Sequence, residues 1–281
     1  MLDCLDGVRV VSLAVNLPGP LAAAHLAGFG ASVTKIEPPG GDPLAAVAPG
    51  WYAELTSNQQ VTVLDLKDAG DRAELDALLT GADLLITAMR PSALRRLGLE
   101  DAHERYPGLS HVEIVGYDGA LAEVPGHDLT YQAAQGTLQP PLMPTVPVVD
   151  LLGAERAVSA ALLALRAEAG RGVGQRYRVV LEDAAADAAA AVRHGLAGSG
   201  APLGGATPTY GIYATTDGHI ALGALEPHFR TRVLDALGVD DTREEFERAF
   251  AAGSTTQWEE LAEKVDIPLI GIRNPTSGDA K

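Results

Sequence analysis

Cysteine is nearly absent. Cys4 alone among 281 residues excludes an intrachain disulfide framework and fits a reducing compartment. Aromatics are scarce at 5%, so the core has to be built from Ala, Leu and Val. Basic residues are outnumbered, 21 Lys and Arg against 37 Asp and Glu, giving a formal net charge of −16. That balance argues against a partner such as nucleic acid or an anionic membrane, since each needs clustered cations. It leaves room for one small phosphorylated ligand in a local basic pocket. No apolar run approaches the length of a membrane span. The N-terminal MLDCLDGV carries acids and lacks the basic stretch of a secretory signal. The expectation is a soluble, cytoplasmic protein. Apolar residues at 47% suit a globular chain of one large domain or two smaller ones.

Along the chain, an apolar run at 8–13 and stretches at 32–36, 61–66, 83–87 and 109–115 read as strands, with helical stretches at 21–29, 71–79 and 92–97 between them. A further strand is expected at 178–181. Alternation on this scale predicts an α/β fold, a doubly wound parallel sheet with helices on both faces. Ligands of such sheets bind beyond the carboxyl ends of the strands. The loops at Asn16, Pro38, Arg90 and Tyr117 are therefore expected along one edge. Glu37 ends the second strand, where a dinucleotide fold keeps its ribose ligand, but the first turn lacks G-x-G-x-x-G, which weakens a nicotinamide-cofactor reading. The Pro- and Gly-rich stretch 38–52 reads as a loop. Two Ala- and Leu-rich helices are expected at 151–168 and 183–196, then a glycine-rich linker at 198–205. Beyond it lie a hairpin around Asp217-Gly218 and helices at 225–237, 243–251 and 256–264. The expected domains are a large one over 1–198, a smaller α+β one over 199–273, and a disordered tail over 274–281.

The stretch around which this is organised runs from Gly126 to Asp150. It sets His127 beside Asp128 before one helical run, and Asp150 at the start of the next. His is the side chain whose ordinary pKa lies nearest neutrality, and a carboxylate at a helix start meets free N–H groups and the positive end of the dipole. His127 and Asp150 thus form a candidate acid/base pair. Taken singly, each also has an ordinary reading: His127 as a surface histidine, Asp150 as a helix cap.

Several stretches together resemble the family III CoA-transferases, most closely their α-methylacyl-CoA racemase branch. They are LDGVRVVSLAVNLPGPLAAAHLAGFGASVTKIEPPGGDP, LDLK, ADLLITAMRPSALRRLGL, YPGLSHVEIVGYDG, GHDLTYQAAQGTL, VVD before a helix, and YGIYATTDGHIALGALEPHF. The resemblance implies a Rossmann-like large domain, a small domain and an interlocked homodimer. It implies an isomerase that inverts the α-carbon of a 2-methylacyl thioester, with His127 and Asp150 as bases on opposite faces and Glu226 contacting the histidine. The alternatives are an acyl-CoA:carboxylate CoA-transferase with Asp150 as nucleophile, and a repurposed or non-catalytic scaffold that has lost CoA binding. Coenzyme A enters as part of the substrate; no separate cofactor or metal is implied. The nucleotide contacts fall to Lys35, Arg90 and Arg96. Backbone N–H groups at the helix start after Asp150 are expected to serve the enolate oxygen.

Three departures modify this picture. Pro38 stands where the family often has arginine, and Asn58 is followed by Gln59-Gln60-Val61, without the family's basic pair. Family members also usually continue past the point where this sequence stops, so the expectation is a shortened C-terminus and an incompletely closed ring. Each lost charge-assisted phosphate contact should weaken CoA binding by about 1.5–3 kcal/mol.

Overall fold

A computed structural model of the chain describes residues 3–273, apart from the side chains of 169–171. The tail over 274–281 lies outside the described residues. The chain divides into two compact units, Met1–Ala189 and Ala190–Lys281. The glycine-rich stretch 198–205 falls inside the second.

The first unit opens with β1 (Arg9–Ser12), α1 (Pro18–Gly28) and β2 (Ser32–Glu37). Next come two short helices, α2 (Pro43–Val47) and α3 (Pro49–Thr56), then β3 (Gln59–Val63) and α4 (Ala69–Thr80). β4 (Leu84–Thr87), α5 (Pro91–Arg96), α6 (Ala102–Arg105) and β5 (Ser110–Val115) follow. The unit closes with α7 (Asp128–Ala134), α8 (Val148–Arg171), β6 (Arg176–Val180) and α9 (Leu181–Ala188). All six strands run parallel, in the order β3-β2-β1-β4-β5-β6. This is the doubly wound sheet expected from the alternation. β4 is an apolar run because both its faces are covered: Leu84, Leu85 and Ile86 are fully buried, while β5 buries Ser110, His111 and Glu113 beside Val112. One face packs α1, α8 and α9 through small residues such as Ala22, Ala23, Ala157 and Ala161. The other packs α4, α5 and α6 through Leu75, Leu79, Leu94 and Ala102. Alanine-rich helices approach the sheet closely, which is how so few aromatics suffice.

Two local expectations are corrected. The stretch 38–52 is not a loop. Pro43 and Pro49 each begin a helix, a position where proline's missing N–H is harmless and its fixed φ is helical. Asp42 caps the first of these by accepting the Leu44 N–H at 3.0 Å. The long helix α8 begins at Val148 with Pro147 as its N-cap, so Asp150 sits inside the first turn and is not the cap. Along α8 the Ala face is buried, whereas Leu162 and Leu163 stay exposed on the single chain.

The second unit starts with α10 (Ala190–Arg193) and carries the antiparallel pair β7 (Tyr210–Ala214) and β8 (His219–Gly223). Helices α11 (Pro227–Leu237), α12 (Arg243–Phe250) and α13 (Thr255–Val265) follow. A short strand, β9 (Leu269–Gly271), not anticipated from sequence, adds to β8. Tyr213, Phe246 and Phe250 form its aromatic core. It is the smaller α+β domain.

Candidate active site

In the first unit the strand order reverses between β1 and β4, and a crevice at that point is what such a sheet offers a ligand. A cleft of about 510 Å³ lies there. Asn16 follows β1 and Arg90 follows β4, while Gly116 follows β5; all three line it, as the common edge predicted. His127, Tyr131 and Asp150 line it too. The two candidate bases, 23 positions apart in the chain, therefore share one cavity with Arg90 and Arg96. Both arginines are exposed and form no salt bridge among the described residues.

One carboxylate organises the pair. Asp128, the first residue of α7, reaches the start of α8: its Oδ1 accepts the N–H groups of Val149 at 2.7 Å and Asp150 at 3.2 Å. Its Oδ2 accepts from Gln132 Nε2 at 2.6 Å. Asp128 thus caps a helix that begins twenty residues later and ties His127, its chain neighbour, to Asp150. The backbone of His127 is fixed by Thr130, whose hydroxyl accepts the His127 N–H at 3.0 Å and donates to its carbonyl at 2.8 Å. Burial, then the negative charge of Asp128, pushes the Asp150 carboxyl up from 3.8 to about 6; the His127 imidazole pulls it partly back. A carboxyl in that range exchanges protons near neutral pH.

The same geometry overturns one expectation. The N–H groups that open α8 are not free for an enolate oxygen. Those of Val149 and Asp150 are taken by Asp128, that of Val148 by the Val146 carbonyl at 2.9 Å, and that of Leu151 by the Pro147 carbonyl at 3.1 Å.

Lys35 is a second correction. It was expected to reach a nucleotide, but it is fully buried and ion-paired with Glu37 at 2.9 Å and Asp42 at 2.8 Å. Tyr52 donates to Glu37 at 2.9 Å, and the Asp42 carboxylate accepts the Asn16 N–H at 3.0 Å. This cluster pins the ends of β1 and β2 to the α2–α3 segment. It also explains the acid at the end of β2: Glu37 is the counter-ion of Lys35 rather than a free ribose ligand. Asn16, held by this cluster at φ +70, presents its side chain at the cleft.

Next to the cleft lies a smaller, largely apolar recess of about 290 Å³, sharing Val15, Ala88 and Met89 with it. Pro38, Leu66 and Lys67 are among its walls. Lys67 belongs to the LDLK stretch, yet sequence alone gave it no role. Tyr131 and Asp128 were also missed, although both lie in GHDLTY. Tyr131 stands four residues after His127, the spacing that brings side chains to one face of a helix. Glu226 belongs to the second unit, where it is the exposed N-cap of α11 and makes no capping hydrogen bond.

A parallel sheet with a half-buried aspartate, a histidine and two arginines outside any salt bridge at its switch point defines a class: open α/β proteins that take a ligand at the strand ends. More narrowly, the chain belongs to CoA-transferase family III, whose sequence profile matches residues 5–277. It is similar to the α-methylacyl-CoA racemase of Homo sapiens, 27% identical across 95% of this chain and 77% of that one. It is similar also to the cinnamoyl-CoA:phenyllactate CoA-transferase of Clostridium sporogenes, 36% identical across 48% of this chain but only 36% of that one. The relatives thus include both racemases and CoA-transferases, and the chain spans anywhere from about a third to about three quarters of their length. Among solved structures, a hypothetical protein of Mycobacterium tuberculosis, Rv3272, superposes with a TM-score of 0.84 at 24% identity, over 98% of this chain and 87% of that one. A CAIB/BAIF family protein from Brucella suis gives 0.80 at 24% identity, over 96% and 84%. These two likenesses establish the fold.

Proposed function

We propose that the protein is an isomerase that inverts the α-carbon of a 2-methylacyl-CoA thioester by transferring protons between His127 and Asp150. The observation that carries this reading is the shared cleft: an imidazole and a carboxyl raised to about 6 line one cavity. One base takes the α-proton, and the C–H electron pair moves into the thioester carbonyl to give an enolate. The other group, starting protonated, returns a proton to the opposite face. The two bases end with their protonation states exchanged and are reset by solvent or by the reverse turnover. Glu226 is proposed, on the resemblance, as the group that orients the imidazole.

The coenzyme A moiety is assigned to the recess beside the cleft. Its apolar walls suit an adenine ring, and Lys67, Arg90 and Arg96 are the cations at hand for phosphate. Pro38 in that wall removes one cation, so binding weaker than the family pattern is expected. A second reading has a specific support of its own. Several relatives are CoA-transferases, and Asp150 as a nucleophile would give a covalent acyl-aspartate. Incubating the protein with 2-methylacyl-CoA in D2O separates the two. α-Deuteration without acylation supports the isomerase; a labelled Asp150 peptide without exchange supports the transferase.

A further inference from the structure

An enolate needs a donor at its oxygen, and the N–H groups that open α8 are engaged elsewhere. Tyr131 offers one. The residue is 2% exposed, and its ring packs edge-on against Tyr117, with centroids 5.3 Å apart. Its residue lines the cleft together with His127 and Asp150. The hydroxyl makes no hydrogen bond to protein among the described residues and is not among the buried unpartnered polar atoms, so it keeps access to the cleft. Two glycines make room for it. A Cβ on Gly116 would lie 2.3 Å from the hydroxyl oxygen and one on Gly126 2.4 Å, and both glycines border the same cleft. Burial first, then Tyr117 and the carboxylates of Asp150 and Glu182, pushes the phenol up to about 12. It is an O–H donor throughout the neutral range. Arg90, Arg96 and Asn16 also border the cleft, but each is exposed, whereas the Tyr131 ring is fixed before any ligand arrives. Preorganised donors of that kind contribute most to catalysis.

We infer that Tyr131 is a further catalytic residue whose phenolic O–H donates a hydrogen bond to the carbonyl oxygen of the acyl thioester. The bond strengthens as that oxygen takes up the electron pair released when the α-C–H bond breaks. Tyrosine keeps its own proton; the α-proton goes to His127 or Asp150. This rests on the isomerase reading of the cleft and adds the group that holds the charge.

The test uses the full chain and acetoacetyl-CoA, whose enolate absorbs in the near ultraviolet, so that no turnover is needed. In the wild type, bound acetoacetyl-CoA forms its enolate at lower pH than it does free. In Tyr131→Phe the enolate band moves back up by about one to two pH units, the scale of one lost hydrogen bond to an anion. Affinity for a non-enolisable thioether analogue of the ligand is unchanged, and α-deuterium exchange falls about 10²–10³-fold. Gly116→Ala, whose Cβ would lie 2.3 Å from the hydroxyl but 3.4 Å from the nearest ring carbon, moves the band the same way. A band unchanged in Tyr131→Phe, with the analogue still bound, overturns the inference and leaves the cleft reading intact. So does a change confined to the pH profile of Asp150, which would make Tyr131 a support for that carboxyl. Failure of the wild type to bind either ligand sinks the cleft reading and the inference with it.

Discussion

Replacing Asp150 with asparagine should abolish inversion and, at neutral pH, stabilise the fold. The carboxyl rises from 3.8 to about 6 on folding because it is buried and lies near Asp128. Below pH 3.8 it is protonated in both states and costs nothing. As pH rises, the unfolded chain ionises first, and the penalty on the fold grows until about pH 6 and is constant above it. At about 1.4 kcal/mol per pKa unit, the native state carries roughly 3 kcal/mol of destabilisation at pH 7.5. Asparagine has no charge to bury. The stability difference between Asp150→Asn and wild type should therefore be about 2–3 kcal/mol more favourable to the variant at pH 7.5 than at pH 4.0. Comparing the two pH values cancels any fixed effect of the amide on packing or on the cap. Urea unfolding followed by the fluorescence of Trp51, in a Trp258→Phe background, reports the first unit alone, since the two tryptophans fall in different units. A stability difference that is the same at both pH values would refute the reasoning, because Asp150 would then not be held against its own ionisation.

Three other outcomes follow from the same physics. Lys35→Met should destabilise the first unit by about 3–5 kcal/mol, since it leaves Glu37 and Asp42 buried without a counter-ion; a variant of normal urea stability with weakened CoA binding would restore Lys35 as a nucleotide ligand. Arg90→Ala and Arg96→Ala should each weaken calorimetric CoA affinity by about tenfold or more; no change in both would move the nucleotide elsewhere. The homodimer implied by the resemblance is proposed to use the exposed Leu162 and Leu163 of α8, so a Leu162→Glu, Leu163→Glu variant should sediment as a monomer; a wild type that is itself monomeric in dilute solution would remove the proposal.

Much of this architecture was legible in the sequence, for identifiable reasons. The run at 84–87 is apolar because the strand is covered on both faces, so it is visible without any tertiary knowledge. His127 and Asp150 stand out locally as a candidate pair, but only the resemblance favours that pairing over a surface histidine and a capping acid. What stayed hidden depends on contacts between distant positions. Lys35 looks like a cation available to phosphate until Glu37 and Asp42 fold over it. The cap of α8 comes from Asp128, across a chain separation that no cap motif covers. The stretch 38–52 carries the glycines and prolines of a loop, yet two of its prolines stand at helix starts. Tyr131 reads as one more core aromatic until the glycines facing its hydroxyl are known.

The most direct measurement of the central claim is α-deuterium incorporation from D2O into each enantiomer of a 2-methylacyl-CoA, by wild type, His127→Ala, Asp150→Ala and the double variant. Wild type should exchange both enantiomers and interconvert them. Each single variant should lose interconversion while retaining exchange of the enantiomer whose proton faces the remaining base. The double variant should do neither, and exchange by it at the wild-type rate would contradict the assignment of His127 and Asp150 as the two bases.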